Sequence, residues 1–383
     1  MLATGIAASS IGAPATAQTA FYSPTAITLA GYRPGALIRT EPMAGAPLAA
    51  RAWRILYRST GLHGEPIAVS GVVIVPFGAA PSGGRPVIAW AHPTTGIVEQ
   101  CAPSLARVFF RSVPGLQDML ARGYAIAATD YPGLGTPELH PYLVGDSEGK
   151  AVIDSVRATH LVAGVGNNPS FAVWGHSQGG HAALFAGLMA ASYAPELKLV
   201  GVAAAAPATD LRALMLSDLD SSGGRNITAM TLWSWSRVYG APITGVVTPE
   251  AVPVIDRLAD LCVERFFDAL MRRGPTQALA RSFLRVRDFA DLQPWRSLLA
   301  QNTPAPLPAR VPVFLAQGAT DNLVAPAITL AYRDRLCRQG SAVTLAMLPN
   351  VGHLFVARNA APAAIGWIAD RFKGIAPPNN CGR

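Results

Sequence analysis

The run Trp174-Gly175-His176-Ser177-Gln178-Gly179-Gly180-His181 constrains this chain more than any other stretch of it. It is a Gly-x-Ser-x-Gly run, preceded by the apolar segment Ser170 to Trp174 and followed by the Ala- and Leu-rich segment His181 to Tyr193. The first segment reads as a buried strand and the second as a helix. A serine in a sharp strand-to-helix turn is lifted clear of the sheet, and glycines two residues before and after it relieve the crowding. The hydroxyl is then open to a base and to a substrate. Taken alone, Gly-x-Ser-x-Gly is a tight turn with a chance serine; the flanking strand and helix turn it into a nucleophile elbow.

A hydroxyl is a poor nucleophile until an imidazole takes its proton, and the imidazole needs an acid to hold its tautomer. In the fold that uses such an elbow the order along the chain is Ser, Asp or Glu, then His. Of seven histidines only His353 lies downstream of His181. It sits in Pro349-Asn350-Val351-Gly352-His353, after the strand-like run Ala342 to Leu348. His353 is therefore the expected base, although a lone histidine near a C-terminus is more often a surface or capping residue. His176 and His181, which flank the serine, read as structural. The expected acid is Asp321, in the turn after the apolar run Val311 to Gly318; as a bland reading it caps the helix that starts near Pro326. Asp334, in mid-helix, is the weaker alternative. An oxyanion hole needs two preorganised N–H donors. The amide of Gln178 is one, and the loop His92-Pro93-Thr94-Thr95-Gly96 after the strand Pro86 to Ala91 offers the other, with Thr95 ahead of Thr94.

Strand-like runs at Trp53 to Ser59, Ile67 to Val75, Tyr124 to Thr129 and Leu197 to Ala206 alternate, after a first hairpin, with helical stretches such as Ser147 to Val162. Alternation of this kind predicts an α/β fold, a mostly parallel sheet wrapped by helices, with the site at the carboxyl ends of the strands. Residues 21–50 read as an irregular arm. Between residues 210 and 308 strand signals fade, so residues 21–209 and 309–383 are expected to form the core and 210–308 an inserted helical lid or cap. In that insertion Val254 to Arg273 reads as one amphipathic helix, and Trp233, Trp235, Phe266, Phe267, Phe283 and Trp295 concentrate apolar bulk. Such a cap would supply an apolar acyl pocket, or its aromatics would form only its own core.

With 50% hydrophobic and 14% charged residues the 383-residue chain can build a large core and is not a disordered protein. The net charge of +8 comes from scattered basic residues, so a solvated surface, with transient contact to a lipid interface, is a better reading than a nucleic-acid partner. The four cysteines (Cys101, Cys262, Cys337 and Cys381) form no Cys-x-x-Cys, so neither a metal nor a redox motif is expected. An even count in an exported protein suggests two disulfides, with three pairings open. Residues 1–20 are small, apolar and uncharged, and Ala15-Thr16-Ala17 resembles a signal-peptidase site. They read as the remnant of a signal peptide, which makes the protein secreted or periplasmic, and a monomer is expected.

The loop ending Glu99-Gln100-Cys101-Ala102-Pro103-Ser104, the Gly-His-Ser-Gln-Gly-Gly elbow and Ser192-Tyr193-Ala194-Pro195-Glu196-Leu197 together resemble the secretory lipase family. The resemblance runs from about Trp53 through His353. It implies an α/β-hydrolase core with a helical lid, acting on lipid esters without a cofactor. The family's Ser, Asp and His fall on Ser177, Asp321 and His353, its oxyanion contacts on Gln178 and Thr95, and its cysteine pattern implies Cys101–Cys262 and Cys337–Cys381. Only 30 residues (383 minus 353) follow His353, fewer than in fungal members, which would leave a more open site suited to soluble esters, short acyl chains or polyesters. The expected function is a serine carboxylic-ester hydrolase. An acyltransferase on the same triad is the alternative, and a ligand-binding protein on a dead hydrolase scaffold is the non-enzyme reading.

Overall fold

A computed structural model of the chain describes residues 20–23, 29–217, 219–263 and 271–382. The signal-like segment therefore lies almost wholly outside the described residues, as do Phe266, Phe267 and Leu270 of the insertion.

The described strands are β1 (Leu37–Pro42), β2 (Ala50–Thr60), β3 (Pro66–Pro76), β4 (Val87–Ala91), β5 (Ala125–Thr129), β6 (Ser170–His176), β7 (Lys198–Ala205), β8 (Val313–Gly318) and β9 (Val343–Leu348). They form one sheet in the order β1-β2-β3-β5-β4-β6-β7-β8-β9. The first three are an antiparallel ribbon, and everything from β5 to β9 pairs in parallel. Parallel strands need both faces covered, so their sequences are apolar throughout rather than alternating. In β6, Phe171 and Val173 point into one core layer and Ala172 and Trp174 into the other, and all four are buried.

The helices are α1 (Leu116–Ala121), α2 (Gly145–Thr159), α3 (Gln178–Tyr193), α4 (Leu211–Ser217), α5 (Ser222–Val238), α6 (Val252–Ala259), α7 (Arg273–Arg281), α8 (Trp295–Gln301), α9 (Pro326–Arg338) and α10 (Val356–Phe372). Helices α2, α3 and α9 cover one face of the sheet, and α1 and α10 cover the other. Between β7 and β8 the described residues form helices α4 to α8 and no strand of the sheet.

Two expectations need correction. The arm at residues 21–50 is not wholly irregular: Leu37–Pro42 is an edge strand paired with Trp53 to Tyr57 of β2. Its half-exposed residues give it little apolar signal of its own. The segment Val254 to Arg273 is not one helix. Helix α6 stops at Ala259, Cys262 is bonded to Cys101, and the Val263 amide donates to the Thr95 carbonyl at 2.8 Å. A covalent tie to a loop 161 residues earlier overrides the local helical periodicity.

Candidate active site

Ser177 stands between the last residue of β6 and the first of α3, at φ 57° and ψ −117°. A non-glycine residue in this region carries strain of about 1–3 kcal/mol, held in place by its surroundings. The neighbouring glycines are set by close approach of backbone. A Cβ on Gly175 would meet the Gly179 carbonyl oxygen at 2.0 Å, and one on Gly179 would meet the Ala91 oxygen at 1.9 Å. The elbow thus packs against the end of β4 with no room for a side chain.

Three loops at the carboxyl ends of strands converge here. His353 Nε2 lies 2.9 Å from Ser177 Oγ, and His353 Nδ1 lies 2.8 Å from Asp321 Oδ2. With Nδ1 protonated, the ring donates to Asp321 and accepts from the serine. Asp321 is itself fixed: its Oδ1 accepts the amides of Leu323 and Val324, both at 2.9 Å, and its Oδ2 accepts from Gln317 Nε2 at 3.1 Å. Burial acts to raise its pKa, but the hydrogen bond and charge of His353 and the two amides outweigh that and hold the carboxyl below its ordinary value. Asp334 lies in α9 and hydrogen-bonds Arg333, away from this line.

His176 is buried against His353, with ring centroids 5.0 Å apart. Burial, then the charge of His353, lowers its pKa to about 3, so the ring is neutral. Its Nε2–H donates to the His353 carbonyl at 3.0 Å. A residue that reads as structural therefore holds the backbone of the expected base.

The amide of Gln178, first in α3, has no intrahelical partner. Its side chain is clamped: Nε2 donates to Glu148 Oε1 at 2.7 Å and to His140 Nε2 at 3.2 Å. Burial pulls the His140 pKa down to about 3, and its Nδ1–H is used by the Pro132 carbonyl at 2.7 Å, leaving Nε2 free to accept. Glu148 also accepts the Leu143 amide at 3.0 Å and faces His181 Nδ1 at 2.8 Å, while His181 Nε2 faces the Asn302 carbonyl at 2.7 Å. Nothing in the sequence flags Glu148; a charged residue near a helix start reads as solvated. Thr94 lines the cavity at Ser177, and its Oγ1 shares a hydrogen bond with Tyr142 at 2.8 Å. Thr95 is buried, its carbonyl accepting from the Val263 amide and its Oγ1 without a partner among the described residues.

The cavity at Ser177 and His353 has a volume of about 530 Å³. Trp90 and Pro93 form part of its wall, and Ile227 and Met230 of α5 bring apolar surface from the insertion. The insertion's tryptophans do something else. Trp235 and Trp295 stack at 6.3 Å in its core, and Trp235 Nε1 ties it to the Tyr142 carbonyl at 2.8 Å. The disulfides are Cys101–Cys262 and Cys337–Cys381.

A sheet of this order, with a serine elbow, an imidazole and a carboxylate at its carboxyl edge, defines an α/β-hydrolase. The secretory lipase family model matches residues 114–380, more than half of the chain. The chain belongs to the secretory lipase family, and with it to the lipid-ester hydrolases. It is 26% identical to Lipase 10 of Candida albicans, over 99% of this chain and 86% of that one. It is also 26% identical to a protein of Mycobacterium tuberculosis named "Probable inactive lipase MT1628", over 92% of this chain and 82% of that one. The fold is similar to Candida antarctica lipase A in its closed state, with a TM-score of 0.78 and 18% identity, covering 94% of this chain and 87% of that one. Among the described residues no helix is long and apolar enough to cross a membrane.

Proposed function

We propose that the chain is a serine carboxylic-ester hydrolase that cleaves lipid or other acyl esters through an acyl-enzyme. The observation that carries this reading is the line Ser177 Oγ–His353–Asp321 Oδ2, with contacts of 2.9 and 2.8 Å, opening on a largely apolar cavity. That line supports a working hydrolase over a binding protein on the same scaffold.

Ser177 Oγ attacks the ester carbonyl while His353 Nε2 takes its proton. Asp321 holds the tautomer and stabilises the imidazolium. The Gln178 amide and an amide of the Thr94–Thr95 pair receive the developing oxyanion. His353 then protonates the leaving alcohol, and water, activated by the same ring, releases the acid. Helices α4 to α8 act as the lid, with Ile227 and Met230 packing against the acyl chain. The family's secretory character and the two disulfides support a secreted or periplasmic enzyme.

The test is hydrolysis of p-nitrophenyl esters from C2 to C16 by wild type and Ser177→Ala, with fluorophosphonate labelling alongside. Loss of the nucleophilic serine costs about 10⁶-fold in kcat in comparable enzymes. Equal activity of the two proteins, or labelling of Ser177→Ala as strong as wild type, refutes the assignment; the chain-length optimum separates esterase from lipase.

A further inference from the structure

Among its described lining residues, the cavity at Ser177 carries charge of one sign. Among the described residues no Asp or Glu lines it, whereas three arginines do: Arg111, Arg272 and Arg358. Arg272 is buried and its guanidinium donates to the Leu258 and Leu261 carbonyls, which fixes it as part of the lid. Arg111, in the turn Phe109–Arg111, and Arg358, in the first turn of α10, are different. Both are exposed, and neither guanidinium has a hydrogen-bond or ion-pair partner among the described residues. Both line the cavity, one from the segment after β4 and one from the helix that follows His353. Two unneutralised cations beside low-dielectric walls focus a positive potential into the cleft. The planar donor fork of a guanidinium matches a carboxylate or a phosphate.

We propose that Arg111 and Arg358 form an anion subsite, and that the preferred substrates are esters carrying an anionic group, carboxylate or phosphate, apart from the scissile bond. This rests on the ester-hydrolase reading above and narrows its substrate class. The anion belongs to the substrate molecule rather than to a lipid surface: the arginines line the cavity itself, together with Ser177. A neutral ester gains nothing from them.

The test uses matched soluble probes below their aggregation concentrations. Mono-p-nitrophenyl suberate is compared with p-nitrophenyl octanoate, which places the charge on the acyl side. For the alcohol side, 4-carboxyphenyl butyrate is compared with phenyl butyrate. Wild type, Arg111→Gln, Arg358→Gln and the double variant are assayed, and the readout is the anionic-to-neutral ratio of kcat/KM, in which any common loss cancels. For at least one probe pair the ratio should fall about five- to tenfold from wild type to double variant at low salt. The difference should shrink at 0.5 M NaCl, where the screening length is only a few ångström. A ratio unchanged on both pairs overturns the subsite. So does an effect confined to neutral esters dispersed in anionic phosphatidylglycerol vesicles, which assigns the arginines to surface docking instead. If wild type cleaves neither the neutral nor the anionic probes, the hydrolase reading itself has failed, an outcome distinct from failure of the subsite.

Discussion

Glu148 offers the most searching test of how the elbow is held. Its carboxylate is fully buried and faces three donors: the Leu143 amide at 3.0 Å, Gln178 Nε2 at 2.7 Å and His181 Nδ1 at 2.8 Å. Glu148→Ala strips all three of their acceptor. Each orphaned buried donor costs about 1–3 kcal/mol, and breaking a buried His–carboxylate pair about 3–5 kcal/mol. These figures overlap rather than add, so the expected loss is about 3–5 kcal/mol out of a total that for most proteins is about 5–15 kcal/mol. Glu148→Gln behaves differently. Its amide oxygen still accepts from Leu143 and Gln178, and its NH₂ can donate to His181 Nδ1 if that ring keeps its proton on Nε2, toward the Asn302 carbonyl. Every partner is then retained and only the charge is lost, a cost below about 2 kcal/mol. Urea denaturation measures both variants, and p-nitrophenyl butyrate turnover follows the elbow, since the Gln178 side chain fixes the residue whose amide is proposed to serve the oxyanion. Glu148→Ala within about 1 kcal/mol of wild type, or Glu148→Gln as damaging as Glu148→Ala, would refute the reasoning.

Asp321→Asn should fold normally yet lose about 10⁴-fold in kcat, because the amide favours the wrong imidazole tautomer; turnover of p-nitrophenyl butyrate reads this directly. Its carboxyl is held below the ordinary range, so it contributes stability that is present above about pH 4, the unfolded value, and is lost as pH falls through the lower folded value. Denaturation midpoints of Asp321→Asn should therefore be flatter than wild type on the acid side. Asp130 has the opposite sign. Burial raises it to about 6 despite hydrogen bonds from Ser104 and Ser70, so the native state takes up a proton first and stability rises as pH falls from about 6 toward 4. Asp130→Asn should remove that rise in midpoints measured at pH 4, 5, 6 and 7. Loop-closure entropy assigns about 5 kcal/mol to Cys101–Cys262 and about 4 kcal/mol to Cys337–Cys381, from separations of 161 and 44 residues. Paired Cys→Ser variants should both be less stable, but only loss of Cys101–Cys262 should also lower kcat/KM.

The elbow was legible because its chemistry and its backbone constraint fall within the same eight residues: the glycines that mark it are those whose Cβ atoms have no room. The chain order Ser177, Asp321, His353 was legible because each residue lies in the turn that follows a strand-like apolar run. Features set by distant partners were not. Strand β1 owes its existence to pairing with β2, since its own residues are half exposed. Helix α6 ends where it does because Cys262 is tied to Cys101. The insertion's aromatics gave no sign of which surface they serve, and the smaller Ile227 and Met230, not Trp235 or Trp295, reach the cavity. Glu148 and His140 act on Gln178 across the fold, from positions 30 and 38 residues away, and no short window of sequence contains that relation.

The ties between the insertion and the core fall on the loops that surround Ser177. On one flank Cys262 is bonded to Cys101, the Asp260 carbonyl accepts from Gln100, and Val263 is bonded to Thr95. On the other, Ser234 and Trp235 hydrogen-bond the backbone at His140 and Tyr142, while Asn302 receives Gly145 N on its side chain and His181 on its carbonyl. The helix that carries Ser234 and Trp235, α5, also walls the cavity with Ile227 and Met230. A body pinned at both edges cannot swing clear without breaking several buried hydrogen bonds together, each worth about 1 kcal/mol net and more once orphaned. Substrate access to the cavity as it stands is therefore cheaper than opening of the whole insertion. The same anchors carry Thr95 and, through His181 and Glu148, Gln178. Any displacement of the insertion large enough to admit a bulky ester thus also disturbs the donors expected to stabilise its oxyanion, which couples substrate size to kcat rather than to binding alone.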